Sequence, residues 1–411
     1  MRLLYTVQRY GEEVGGGAEA ACRMLAEQMA ARGHRVEVLT SCAVDYATWA
    51  DHFPPGRSEI NGVGVHRLPV AGPRRPEVFD PASARVLGGS AALAVERDWV
   101  RLQGPELVGL EPWLSQNAGR FDAAAFYTYL YSPSAQGLPV AARRTATVLH
   151  PAAHDEPMIA LRSFDREFHQ ADAMAAHTPE EAATLGRRVR GVPTSVVGLG
   201  IEVNPPPADA TRFRERYGLG GSPILLYVGR IEPGKGTDEL VRYFLHSKQR
   251  LHHEVKLVMV GPPVDPPEPH PDVITTGFVD DQTRLDAYAA CNWFVLPSYF
   301  ESFSIALCDA WVVRRAAMVN ANCSVLAGQA RRSGAALGYR DYAEFEQSLL
   351  RLVTDPELTA RMGEAGRRYV LENYEWSEVL GRYERLVHTA IERRRLRCER
   401  AFNRLGGAAR R

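Results

Sequence analysis

Two cations five residues apart, Arg230 and Lys235, lie in a glycine-bearing loop, Gly229-Arg230-Ile231-Glu232-Pro233-Gly234-Lys235-Gly236-Thr237, that follows an apolar run at 224–228. A rigid guanidinium fork and a compact ammonium at the carboxyl end of a strand suit a diphosphate clamp. The loop also fits G-x-x-x-x-G-K, the phosphate loop of nucleoside triphosphatases. Three features argue against that: Gly236 stands where a magnesium-binding Ser or Thr belongs, Pro233 has no N–H for a phosphate, and no later strand ends in Asp. A second loop, Gly15-Gly16-Gly17-Ala18-Glu19-Ala20, fits the dinucleotide fingerprint G-x-G-x-x-A. Residues 8–14 separate it from the first strand, and the second strand runs into Thr40 and Ser41 instead of an acid, which disfavours a nicotinamide or flavin. The glycines still expose backbone N–H groups at a helix start, where an anion is favoured. In a third segment, Pro297-Ser298-Tyr299-Phe300-Glu301-Ser302-Phe303-Ser304-Ile305 leads on to Asp309. Counted as helix, Asp309 lies about 80° around from Glu301, so both acids can face one side.

These loops need strands and helices to hold them. Residues 3–7 read as a buried strand, 18–32 as a helix ended by Gly33, and 36–40 as the next strand, a unit that seeds a parallel sheet. Residues 41–120 are poorly patterned apart from a helix at 91–103. The strand grammar returns at 123–127, 145–149, 171–176 and 195–197. Asn204-Pro205-Pro206-Pro207 cannot belong to a central strand and marks a linker. The pattern then restarts, with strands at 224–228, 255–260, 273–274, 293–296 and 317–320 and helices at 238–246, 304–313 and through the last seventy residues. The expected fold class is α/β, two Rossmann-like open parallel-sheet domains facing a cleft at the carboxyl ends of their strands.

The 411 residues, 45% hydrophobic and 24% charged, exclude disorder, collagen and a minimal disulfide scaffold. Lys plus Arg equals Asp plus Glu at 49 each, which gives no case for a nucleic-acid partner. Only Lys235, Lys248 and Lys256 are lysines, so one of three sits in the cation loop of an otherwise arginine-biased chain. Six cysteines form no C-x-x-C pair, no leader precedes the first strand, and no apolar run reaches a membrane span. A reduced, cytoplasmic chain is expected. Residues 391–411 carry eight Arg against two Glu, leaving 41 basic and 47 acidic residues in the remaining 390. Such a tail can meet anionic lipid, or form a frayed solvated helix.

The succession of a glycine loop before the first helix, Gly-Arg with Lys five residues on, and Pro-Ser-x-x-Glu-x-Phe leading to a second acid resembles the retaining glycosyltransferases of family 4, of GT-B fold. The resemblance runs from Met1 to about Val387. Gly33-His34-Arg35-Val36, His154-Asp155, Gly200-Ile201-Glu202 and Tyr374-Glu375-Trp376 fall where that family has similar signatures. It implies a metal-independent retaining transfer of a sugar from a nucleotide-diphosphate donor to a sugar, glycolipid or small-molecule acceptor, with no resident cofactor. It implies catalytic roles for Arg230, Lys235, Glu301 and His154, and donor binding by Gly16, Gly17, Gly229, Val279, Phe303, Ser304, Ile305 and Asp309. Arg230 and Lys235 would hold the diphosphate, Glu301 the sugar hydroxyls, Asp309 the ribose, and His154 would approach the sugar. The implied organisation is an acceptor domain at 1–203, a donor domain at 204–375, a helix at 376–390 packing back toward the N-terminal domain, and the Arg-rich tail at 391–411. Three positions depart from the family pattern: Asp309 replaces a usual Glu, Ser304 a usual Gly, and Arg314-Arg315-Ala316-Ala317 a customary Gly-x-Pro-Val. These departures admit a rival, a catalytically silent subunit partnering an active paralogue.

Overall fold

The first sheet begins with β1 (Arg2–Thr6), β2 (Arg35–Ser41), β3 (Gly56–Ile60) and β4 (Val63–Leu68), and continues with β5 (Ala123–Tyr127), β6 (Ala146–His150), β7 (Ala173–Ala176) and β8 (Thr194–Val196). This computed structural model describes residues 1–89 and 91–408, with side chains through Ala401. The chain divides into two units, Met1–Gly200 with Ser377–Arg411, and Ile201–Trp376. Of the Arg-rich tail, the side chains from 402 onward and residues 409–411 lie outside the described residues.

In the first unit the strand order is β3-β4-β2-β1-β5-β6-β7-β8, parallel throughout except for the β3–β4 hairpin. Strands β5, β6 and β7 are buried at every position, as strands covered on both faces must be. One face presents Leu4, Leu39, Phe126, Leu149 and Met174 to a core completed by Trp99, Leu114, Leu138 and Phe164. On the other face Tyr5 and His150 meet Tyr383 of the last helix, Trp376–Ala408. The unpatterned stretch resolves into β3, β4 and the helices Pro76–Leu87, Leu93–Gln103 and Leu110–Asn117. Asn61 (φ 50°) and Gly62 (φ 77°) turn β3 into β4, a two-residue hairpin signal present in the sequence but obscured by the exposed, polar β3.

The second unit holds β9 (Ile224–Val228), β10 (Lys256–Val260), β11 (Val273–Thr275), β12 (Trp293–Leu296), β13 (Ala316–Asn320) and β14 (Ala336–Tyr339), all parallel, in the order β11-β10-β9-β12-β13-β14. Counted within the unit this is 3-2-1-4-5-6, the doubly wound Rossmann order. Its strand sequence reverses between β9 and β12, which is where such sheets bind ligands.

Candidate active site

At that reversal point glycines let two loops approach each other. Gly229, directly after β9, has φ 154°, and a Cβ there would lie 2.7 Å from the Tyr227 hydroxyl oxygen. Gly261, directly after β10, has φ 143°, and its Cβ would come within 2.0 Å of the Gly229 carbonyl oxygen. Gly236 (φ 71°) backs against the Pro297 carbonyl, 2.7 Å from where a Cβ would sit, so the loop after β9 rests on the loop after β12. The buried Asn320 amide, at the end of β13, donates to the same Pro297 carbonyl at 2.9 Å.

This packing brings together two of the residues expected from the sequence. Lys235 Nζ donates to Glu301 Oε1 at 2.8 Å, across 66 positions of chain, with both side chains partly open to solvent. Arg230, from the same loop, lies 3.1 Å from Glu232 and keeps 40% of its side chain exposed. The Tyr227 hydroxyl donates to the Arg230 carbonyl at 2.7 Å, and burial pushes that phenol above its ordinary value. The Thr237 hydroxyl donates to the Glu232 carbonyl at 2.9 Å and ties the loop to the helix Thr237–Leu251 that follows.

Glu301 and Asp309 do not share a helix as the sequence spacing assumed. Ser304 has φ 93° and ψ 93°, and the helix Ile305–Val312 starts only after it. Residues 301–304 are therefore non-helical and the 80° relation does not apply. Ser304 Oγ instead accepts from the Leu307 N–H at 3.3 Å, a helix cap. Phe303 is buried edge-on to Tyr374, ring centroids 4.8 Å apart, and anchors the segment. Asp309 Oδ2 accepts from Arg284 Nη1 at 2.7 Å. Burial pushes the Asp309 carboxyl up with Arg284 pulling against it; burial alone would lower Arg284, but Asp309, Tyr288 and Asp281 together hold it above its ordinary value. Val279 is half-buried in the loop after β11, two residues past Gly277, whose carbonyl accepts from the Gly261 N–H at 3.1 Å.

In the first unit Gly16 (φ 142°) precedes the helix Gly17–Ala31, and a Cβ on it would strike the Glu19 carboxylate at 2.3 Å. Beneath it Arg9 Nε donates to Glu19 at 2.9 Å and Arg9 Nη2 to the Gly15 carbonyl at 2.9 Å, both side chains nearly fully buried. His154, in the loop after β6, lies 3.5 Å from Glu156, which also accepts from the Tyr129 hydroxyl at 2.8 Å. Burial alone would raise the Glu156 carboxyl, but His154 and Tyr129 outweigh it and hold it below its ordinary value. Arg9, Arg284 and the Tyr129–Glu156 contact were missed by sequence reasoning. An isolated Arg or Tyr carries no spacing signal, and only Glu19 lay within a recognisable motif.

Residues 209–369 match the family "Glycosyl transferases group 1". A "D-inositol 3-phosphate glycosyltransferase 2" of Catenulispora acidiphila is 30% identical over 233 residues, 51% of this chain and about half (54%) of that relative. A "D-inositol 3-phosphate glycosyltransferase" of Acidothermus cellulolyticus is 25% identical across 95% of this chain and 90% of its own. Among solved structures, a sucrose-phosphate synthase of Thermosynechococcus elongatus superposes with a TM-score of 0.66 at 17% identity, covering 99% of each chain. Anabaena HepE in complex with UDP-glucose gives a TM-score of 0.66 at 15% identity, over 95% of this chain and 99% of that one. The two sheets are those of the GT-B fold, and the segment at 209–369 is similar to the group 1 glycosyl transferases.

Proposed function

We propose that the chain moves a glycosyl group from a nucleoside-diphosphate sugar to an acceptor hydroxyl, with retention at the anomeric carbon and without a metal ion. The observation that carries this reading is the Lys235–Glu301 contact at the strand reversal of the second sheet. A glycosyl donor needs its diphosphate stabilised as it leaves while positive charge grows at the anomeric carbon. Arg230 and Lys235 supply fixed positive charge for the diphosphate, and Glu301, held by Lys235, supplies acceptor oxygens for sugar hydroxyls. The helix starts at Gly17 and Ile305 offer N–H groups to the phosphates. Val279 backbone would meet the base and Asp309 the ribose, with Arg284 fixing that carboxylate. In this reading 1–203 is the acceptor domain, 204–375 the donor domain, and His154 reaches the transferred sugar.

The relatives' names support a phosphorylated polyol or sugar as acceptor class, and the HepE complex supports a uridine donor. No Asp-x-Asp pair exists in the sequence, so phosphate charge falls to the cations named. A cytoplasmic location belongs to the same reading; among the described residues no helix is long and apolar enough to cross a membrane. The silent-subunit alternative is not favoured, since Arg230, Lys235 and Glu301 are all present and the relatives are named as enzymes. Calorimetric titration with UDP, GDP and ADP in the presence of chelator is expected to show binding of at least one. Lys235→Ala is expected to weaken it about tenfold or more, the scale of a charge-assisted hydrogen bond. No binding by any of the three would overturn the reading.

A further inference from the structure

The last helix carries a second concentration of positive charge, in the first unit and at the other end of its sheet from His154. Asp172 immediately precedes β7, and Ala142 lies four residues ahead of β6, so both mark the amino ends of strands whose carboxyl ends lead toward His154. Arg397 Nη1 lies 3.1 Å from Asp172, a side chain with no solvent exposure, and Arg394 donates to the Ala142 carbonyl. Between this helix and residues 191–193 runs a groove of about 880 Å³, lined by Pro193, His388, Arg393, Leu396, Arg397 and Arg400 among others.

The charges of the groove do not balance. Its one lining acid, Glu392, is taken by Arg395 at 2.6 Å, which also binds Glu399. The buried Asp172 faces both Arg393 and Arg397. Arg393 and Arg400, both lining the groove, form no ion pair among the described residues. Arg393 is partly withdrawn from water, and that desolvation together with the neighbouring Arg397 pushes its guanidinium below the ordinary value. A bound anion would relieve both penalties. Guanidinium forks match the geometry of phosphate oxygens, and Leu396, 39% exposed in the same groove, offers an apolar contact beside them.

We propose that this groove binds a phosphate-bearing group, from a lipid headgroup or a soluble phosphate ester, through Arg393, Arg397 and Arg400. The proposal does not rest on the donor-site reading, because every residue it uses belongs to the first unit. The test takes the full chain and its Arg393→Ala/Arg400→Ala double variant. Neither residue is part of the proposed transfer machinery, and neither forms an ion pair among the described residues, so the variant should fold; circular dichroism and nucleoside-diphosphate titration check that it does. One arm measures co-sedimentation with vesicles of phosphatidylcholine alone and of an equal mixture of phosphatidylcholine and phosphatidylglycerol. The other measures calorimetric binding of glycerol 3-phosphate. Binding in either arm that falls roughly 25-fold in the double variant, about fivefold per basic residue removed, and that weakens with added salt supports the groove. Preference for the anionic vesicles assigns a lipid headgroup, and glycerol 3-phosphate binding without vesicle binding assigns a soluble ester. Binding of neither probe by the wild-type chain, or binding that the double variant keeps, overturns the proposal.

Discussion

Lys235 is one of three lysines in a chain whose other 46 basic residues are arginines, and its ammonium lies 2.8 Å from Glu301. A compact charge can hold that carboxylate and still face a diphosphate, whereas a planar guanidinium binds carboxylates through a wider fork. Lys235→Arg is therefore expected to keep the charge yet weaken nucleoside-diphosphate binding by about tenfold in a calorimetric titration, a loss of about 1.4 kcal/mol. Ser304 sits at φ 93°, where a Cβ is strained by about 1 kcal/mol or more, but its hydroxyl caps the next helix. Ser304→Gly should raise stability by about 0.5–1 kcal/mol, because Gly removes the strain and loses only a few tenths of capping energy. Ser304→Ala keeps the strain and loses the cap, and is expected to cost about 1 kcal/mol in urea denaturation. The replacement of a family Gly by Ser was legible in the sequence, but the positive φ and the capping hydroxyl were not.

The ends of β9 and β10 must touch for the cation loop to lie where it does. The Gly229 carbonyl occupies the space that a Cβ on Gly261 would need, and a backbone atom cannot swing aside as a side-chain tip can. Gly261→Ala is expected to destabilise the second unit by about 3 kcal/mol or more and to abolish nucleoside-diphosphate binding. Gly234→Ala, with nothing within 4 Å of its Cβ, serves as the matched change and should leave both nearly unaltered in the same thermal melts and titrations. Strands β9, β10 and β12 could be read from apolar runs, since buried parallel strands are continuous hydrophobic segments. The hairpin of β3 and β4 could not, because its outer strand is exposed and carries Arg57, Ser58 and Glu59 where alternation was sought.

On the scale of the whole molecule, buried ionisable groups make stability depend on pH. His150 is fully buried, stacked on Tyr127 at 4.3 Å and facing Tyr383 at 5.3 Å and His177 at 6.4 Å. Burial, reinforced by His177, pushes its imidazole well below the ordinary value. The unfolded chain takes up a proton near pH 6.5 that the folded chain resists, so stability is complete above about pH 6.5 and is lost as pH falls below it. His150→Phe keeps the ring stack and is expected to shrink the fall in melting temperature between about pH 7 and pH 5. Glu167 acts with the opposite sign. Its buried carboxyl is pushed well up by desolvation, so the folded form keeps a proton that the unfolded form releases above about pH 4.3, and its contribution is lost as pH rises.

The sequence by itself determined the alternation of strand and helix in two α/β halves, the glycine loops, and the residue types Arg230, Lys235, Glu301 and Asp309. Those follow from local periodicity and from the chemistry of single side chains. Tertiary structure decided which charges meet: Lys235 with Glu301 across 66 positions, Asp309 with Arg284 across 25, and Arg9 with Glu19 beneath the first glycine loop. It also decided that Ser304 breaks the helical relation between the two acids, and that the arginines of the last helix form a groove with residues 191–193 instead of a uniformly solvated face. The physical reason is strand order. Parallel strands are joined through crossovers, so the loops that become neighbours are set by which strands pair, and that choice depends on packing summed over a whole sheet, which no local window of sequence contains.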